Sequence, residues 1–222
     1  MSKEKTKKGG SKFFRIFYAC FSGVIGLIFR IKVVNSKNEP AEARYVVCAN
    51  HISATDPIVI SYAFKKNQIH FMAKKELFKI PVLKGLIGAL GAFPIDRGGN
   101  DVGAIKKAVG IVEGGECLGV FPQGHRYVGV DPRTTPTKNG AALIATRAEA
   151  DVVPVYIWTK HKKRSFLGRT YVIIGEKIPF ESFGYDKDVT GEYARITDII
   201  FDKVCALGED FEQKMRSEGK IK

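Results

Sequence analysis

The sequence predicts an α/β protein on a mostly parallel mixed sheet flanked by helices, and three observations predict it. From Tyr45 onward, short apolar runs alternate with stretches of helical periodicity over about 130 residues, the pattern of crossover units. The chain has 222 residues, 45% of them hydrophobic and 27% charged, the make-up of one folded domain with a small appendage. Near the end, Ile196, Ile200, Val204, Leu207 and Phe211 keep a helical spacing and form one stripe able to cover a sheet.

The N-terminus stands apart. Residues 1–12 hold five Lys and one Glu among Gly and Ser, a basic arm. Between Arg15 and Arg30 lie 14 uncharged residues, Ile16 to Phe29. A membrane-spanning helix needs about 20. A signal peptide has the same outline, but Arg30, Ile31 and Lys32 follow where a small-x-small cleavage site would stand. The segment fits an interfacial, membrane-associating helix, with bulky Phe and Ile on its body and Arg at both ends reaching for headgroups. The competing reading is a helix packed on its own domain. The expected division is residues 1–32 for arm and helix and 33–222 for the main domain.

Beyond it, the expected strands are Tyr45–Ala49, Ile69–Ala73, Ala92–Ile95, Cys117–Phe121, Val152–Ile157 and Tyr171–Ile174. Helical stretches fall near 57–66, 81–90, 101–114, 138–148 and 190–217. In open α/β sheets the chemistry gathers at the carboxyl ends of the strands. The formal charge of +13 calls for an anionic partner: nucleic acid, a membrane surface, or an acidic substrate or carrier. The four cysteines are scattered without a CxxC pair and read as free thiols, and no residue cluster requires a metal.

Three strand ends carry polar residues. Asn50-His51-Ile52-Ser53-Ala54-Thr55-Asp56 follows the first strand. Ser53 and Asp56, followed by Pro57, have the spacing of a helix start, with Ser53 as the cap and Asp56 three residues in. Helix punctuation leaves His51 unexplained. A histidine just before a helix start sits in a positive field that favours the neutral ring, as a general base requires, and Asp56 could fold back to fix its tautomer. Ile95-Asp96-Arg97-Gly98-Gly99 and Phe121-Pro122-Gln123-Gly124-His125-Arg126 each place an arginine and glycine after a strand, suited to a phosphate or to a plain turn. No serine or cysteine has the context of a covalent nucleophile, which favours direct transfer to a phosphate-bearing alcohol.

Taken together, these blocks resemble the bacterial lysophosphatidate acyltransferases from about Tyr45 to Val155. Asn50-His51-x-Ser53-x-x-Asp56 matches in full. Lys74-x-x-Leu77-x-x-x-Pro81 precedes Ile95-Asp96-Arg97 at the family's spacing, and Val153-Pro154-Val155 closes the set, with Lys138 and Gly140 upstream. Lys84 stands where glycine is usual, Gln123 where glutamate is usual, and His125 where threonine is usual.

The resemblance implies the glycerolipid acyltransferase fold. It also implies transfer of an acyl group from a thioester of coenzyme A or acyl carrier protein to lysophosphatidate, giving phosphatidate, with no cofactor. His51 would be the base and Asp56 its orienter. Asn50, Lys74, Arg97, Gln123, Gly124 and Arg126 would contact the substrate, the arginines and the Gly124 backbone holding its phosphate. Backbone amides near the helix start would stabilise the oxyanion. The expected location is the cytoplasmic face of the cell membrane, peripheral or monotopic. Three alternatives remain at this level: an acyltransferase for glycerol-3-phosphate or another lysolipid, a thioesterase, and a non-catalytic basic binder. A nucleic-acid partner is disfavoured, since no element interleaves basic and aromatic residues.

Overall fold

The computed structural model describes residues 12–96, 101–165 and 168–221. A sheet of seven strands runs through it: β1 (Ile31–Val34), β2 (Tyr45–Ala49), β3 (Ile69–Lys74), β4 (Phe93–Ile95), β5 (Cys117–Val120), β6 (Asp151–Trp158) and β7 (Thr170–Ile174). The helices are α1 (Lys12–Phe29), α2 (Asp56–Ala63), α3 (Pro81–Ala89), α4 (Val102–Glu113), α5 (Gly140–Arg147) and α6 (Glu192–Ser217). The strand order is β1-β7-β6-β2-β5-β3-β4, with every pairing parallel except β6 with β7. The five strands from β6 to β4 therefore share one direction, and their carboxyl ends line one edge.

The central strand shows why the sheet is covered on both faces. All five residues of β2 are buried. Its side chains alternate between two cores, as a period of two demands. Val46 and Cys48 pack with Ala141 and Ala145 of α5 and Ile200 and Val204 of α6. Tyr45, Val47 and Ala49 pack with Ile60 of α2, Phe64 and Ile69. The stripe foreseen in α6 is the buried face, with Ile196, Ile200 and Val204 at 0% exposure.

The six expected strands and five expected helices of the main domain all form, Tyr45–Ala49 with the expected bounds and the others within three residues at their ends. β1 is the addition. It pairs parallel with β7, Ile31 opposite Thr170 and Val34 opposite Ile173, so the sheet begins within residues read as the N-terminal appendage. Arg30 makes the corner between α1 and β1 at φ 44°, the left-handed region, where a glycine would ordinarily signal a turn.

α1 has two faces. Phe14 is buried, and the Tyr18 hydroxyl donates to the carbonyl of Tyr62 on α2 at 2.9 Å. On the other side Ile16, Val24, Leu27 and Ile28 are exposed, Leu27 at 79%. Packing on its own domain and presenting an apolar stripe outward are thus compatible. No helix among the described residues is long and apolar enough to cross a membrane.

Candidate active site

β2 ends at Ala49, and the next residue closes the ladder with its side chain. Asn50 is 1% exposed; its Oδ1 accepts from the Ile157 amide at 2.7 Å and its Nδ2 donates to the Ile157 carbonyl at 3.0 Å. The amide side chain stands in for one more peptide of the strand, so the main chain is free to turn away at His51.

The turn is organised by Asp56, the first residue of α2. Its Oδ2 accepts from the amides of Ile52 and Ser53 and from Nδ1 of His51, all at 2.7 Å. Two backbone donors on the same oxygen show that it is an acceptor, so the hydrogen of the third contact lies on Nδ1. Nε2 is then the basic nitrogen, and it has no hydrogen-bond partner among the described residues. Asp56 is fully buried.

This geometry differs from a capping box. Ser53 does not cap α2: its Oγ accepts from the Thr55 amide at 3.3 Å and pairs with Thr55 Oγ1 at 2.9 Å. Asp56 is one residue into the helix, not three, because its carboxylate has to reach backwards over the turn.

A second loop fixes His51 from the other side. After β5, Gln123 is 2% exposed; its Oε1 accepts from the His51 amide at 2.7 Å, and its Nε2 donates to Thr135 Oγ1 at 2.7 Å. The Tyr127 amide donates to the His51 carbonyl at 2.9 Å. The imidazole lies on the Phe121 ring, 4.0 Å between centroids and 13° from parallel, and Phe71 extends the stack at 5.8 Å. Gly119 makes room for it: a Cβ there would meet Phe71 Cε1 at 2.1 Å.

His51 faces a cleft of about 570 Å³ at the strand ends. Met72, Ile95, Ile105, Val120 and Leu143 form an apolar wall, Lys138 and Arg147 bring positive charge, and His125 adds an imidazole. Asp96 and Asp101 bring the opposite charge. Asp101 caps α4, accepting from the Ala104 amide at 2.8 Å and the Asp96 amide at 2.9 Å. Those amides, that of Asp96 foremost, hold its carboxyl below the usual carboxylate range.

With this geometry in hand, the chain can be set beside known proteins. The family model described as Acyltransferase matches residues 30–158, more than half of the chain. The chain belongs to the acyltransferase family. It is 32% identical over 164 residues to the 1-acyl-sn-glycerol-3-phosphate acyltransferase of Bacillus subtilis, a match covering 73% of this chain and 80% of that protein. The enzyme of the same name from Streptococcus pneumoniae is 33% identical over 148 residues, 64% of this chain and 54% of that protein, so this chain spans only about half of that relative. In fold it is similar to the crystal structure of the 1-acyl-sn-glycerophosphate (LPA) acyltransferase PlsC from Thermotoga maritima, with a TM-score of 0.70 and 22% identity over 89% of this chain and 79% of that one.

Not every residue expected to touch substrate in this acyltransferase lies at the cleft. His51 and Gly124 line it. Asn50 and Gln123 do not, because both ends of each amide are engaged inside the protein, one holding β6 and the other holding His51. The Gly124 amide is also engaged, donating to the Phe121 carbonyl at 2.9 Å. Its glycine is needed for shape: φ is 67°, and a Cβ would meet the Lys138 stem at 2.8 Å. Lys74 is exposed at the end of β3, 3.8 Å from Glu76. Arg126 is exposed beside the cleft-lining His125. Arg97 lies outside the described residues, and its neighbours Ile95, Asp96 and Asp101 line the cleft. Of the amides just before α2, those of Ile52 and Ser53 are bound to Asp56 Oδ2 and are not offered to an oxyanion. Arg147 escaped the sequence reading because it sits in the last turn of α5, outside every motif.

If Asn50 is a clamp, Asn50→Ala leaves the Ile157 amide and carbonyl without partners in a buried site. We expect a loss of about 1–3 kcal/mol of stability, measured by urea unfolding. An unchanged midpoint and slope would argue for a role in binding instead.

Proposed function

We propose that this acyltransferase moves a fatty acyl group from a thioester, of coenzyme A or acyl carrier protein, to the free hydroxyl of lysophosphatidate. The observation that carries the reading is the 2.7 Å contact of His51 Nδ1 with Asp56, which turns a basic Nε2 to a cleft with an apolar wall and the cations Lys138 and Arg147. The acceptor is taken from the names of the relatives and from the fit of a lipid phosphate to that lining.

In this mechanism Nε2 takes the proton of the acceptor hydroxyl as its oxygen attacks the thioester carbonyl. A tetrahedral oxyanion forms and collapses, the C–S bond breaks, and the thiolate leaves with the proton returned by the imidazolium. Asp56 stays ionised, holding the tautomer and balancing the ring's transient charge. The apolar wall receives an acyl chain. Lys138, Arg147, Arg126 and Arg97 are the cations offered to the phosphate. Gln123 is sealed behind His51, so of the two departures in the Phe121–Arg126 block His125, at the cleft, is the one able to alter acceptor choice.

An acceptor with one acyl chain resides in the membrane, and the exposed stripe of α1 with the basic arm before it supplies the means of docking there. The location we propose on this reading is peripheral to the membrane, on its cytoplasmic face.

His51→Ala should cut transfer to lysophosphatidate at least about a hundredfold with the fold retained, followed by product formation and by circular dichroism. Near-normal turnover in the folded variant would end the proposal. Val24→Asp with Leu27→Asp changes only the outward face of α1. This variant should co-sediment less with anionic vesicles and act less on a vesicle-embedded acceptor, while keeping its rate on a short-chain soluble one. Equal sedimentation would show that the stripe is not a docking surface.

A further inference from the structure

The loop after β6 brings an arginine to the turn between His51 and Asp56. Arg164 is half-buried and donates from Nη1 to Thr55 Oγ1 at 3.0 Å, across 109 residues of sequence. Thr55 Oγ1 in turn meets Ser53 Oγ at 2.9 Å, and the Ser53 amide is one of the three donors to Asp56 Oδ2. The other face of the guanidinium lies over the Phe29 ring, 4.1 Å from its centroid, at the last residue of α1. Arg164 is thus held between the N-terminal helix and the turn that carries the pair.

The need for such a group is visible at Asp56. Its Oδ2 is crowded with donors, but Oδ1 is buried without a hydrogen-bond partner among the described residues. A buried carboxylate with one unsatisfied oxygen calls for positive charge nearby. Burial lowers the pKa of Arg164 from its usual value, and the charge of Asp56 opposes that shift, so the two groups feel each other. Arginine suits the position: it keeps its charge, it stacks flat on an aromatic ring, and its fork still reaches Thr55.

We propose that Arg164 is a positioning residue for the His51–Asp56 pair, clamped by Phe29 of α1 and acting through Thr55 and the charge of Asp56. This rests on the reading of His51 as the base. Its consequence is that the helix bearing the outward apolar stripe touches the catalytic turn through one side chain, so docking of α1 and alignment of the base are mechanically joined.

Arg164 contributes a positive charge beside the turn and does not line the cleft. The titratable and charged groups lining the cleft beside the pair are His125, Lys138, Arg147, Asp96 and Asp101, and they are unchanged when Arg164 is replaced. Removing a nearby cation makes protonation of the pair easier. The acid limb of the rate profile should therefore move to higher pH.

The test uses full-length protein, a soluble short-chain lysophosphatidate and both classes of thioester donor. Arg164→Gln should lower kcat by at least about tenfold with acceptor KM within about twofold, and move the acid limb up by about half to one pH unit. Arg164→Lys should keep the acid limb in place and recover part of kcat, since charge is restored but the stack and fork are not. Phe29→Leu should lower kcat in the same direction, and the double variant Phe29→Leu/Arg164→Gln should be no slower than Arg164→Gln alone. If Arg164→Gln and Arg164→Lys lose kcat equally with an unmoved acid limb, or if neither loses any while His51→Ala is inert, the positioning role is overturned and the base stands. If His51→Ala itself turns over normally, the reading of His51 on which the proposal rests is overturned.

Discussion

One carboxylate oxygen organises this site. Asp56 Oδ2 gathers the imidazole Nδ1 and the amides of Ile52 and Ser53, and the path of the chain from β2 into α2 follows from those three bonds. Placing an ion in a fully buried position costs several kcal/mol. Charge-assisted hydrogen bonds of about 1.5–3 kcal/mol each offset that cost only if the donors converge. Convergence fixes the turn at residues 51–56, and the turn fixes His51. The supports around it all serve this geometry: Asn50 releases the chain from the sheet, Gln123 and the Tyr127 amide pin the His51 backbone, and Phe121 limits the tilt of the ring.

The same bonds explain why helix punctuation and catalysis could not be separated from the sequence. Ser-x-x-Asp before a proline is consistent with a helix start, and a helix does start there. What the pattern does not reveal is direction. The carboxylate reaches back to the amides of the preceding turn instead of Ser53 reaching forward, and this is what brings it to the imidazole. It also removes the Ile52 and Ser53 amides from the pool of oxyanion donors, leaving that charge to other groups of the cleft.

Much of the architecture was legible because it rests on periodicity. The buried strands read as unbroken apolar runs, and α6 kept its stripe over about four turns. β1 was hidden because it has four residues, follows an apolar helix, and is turned by Arg30 in a backbone region where a glycine would have marked the corner. At the site, His51, Asp56 and the shape of the Gly124 turn were legible, since each has a chemistry or conformation that few other residues supply. The placement of Asn50 and Gln123 was not. A side-chain amide that closes a ladder and one that grips a ligand have the same composition and the same place after a strand. Arg164 carried no signal at all, because its partners lie 109 and 135 residues away in the chain.

The account turns on which nitrogen of His51 bears the proton in the resting enzyme. ¹⁵N spectra of the imidazole at neutral pH, with His51 assigned by its loss in His51→Ala, test this without substrate. Asp56 as an ionised acceptor requires a protonated Nδ1 and an Nε2 with the shift of a pyridine-type nitrogen, and Asp56→Asn should weaken that preference. A resting ring with its proton on Nε2 would contradict the whole arrangement, since the nitrogen facing the cleft would then have no lone pair to offer the acceptor hydroxyl.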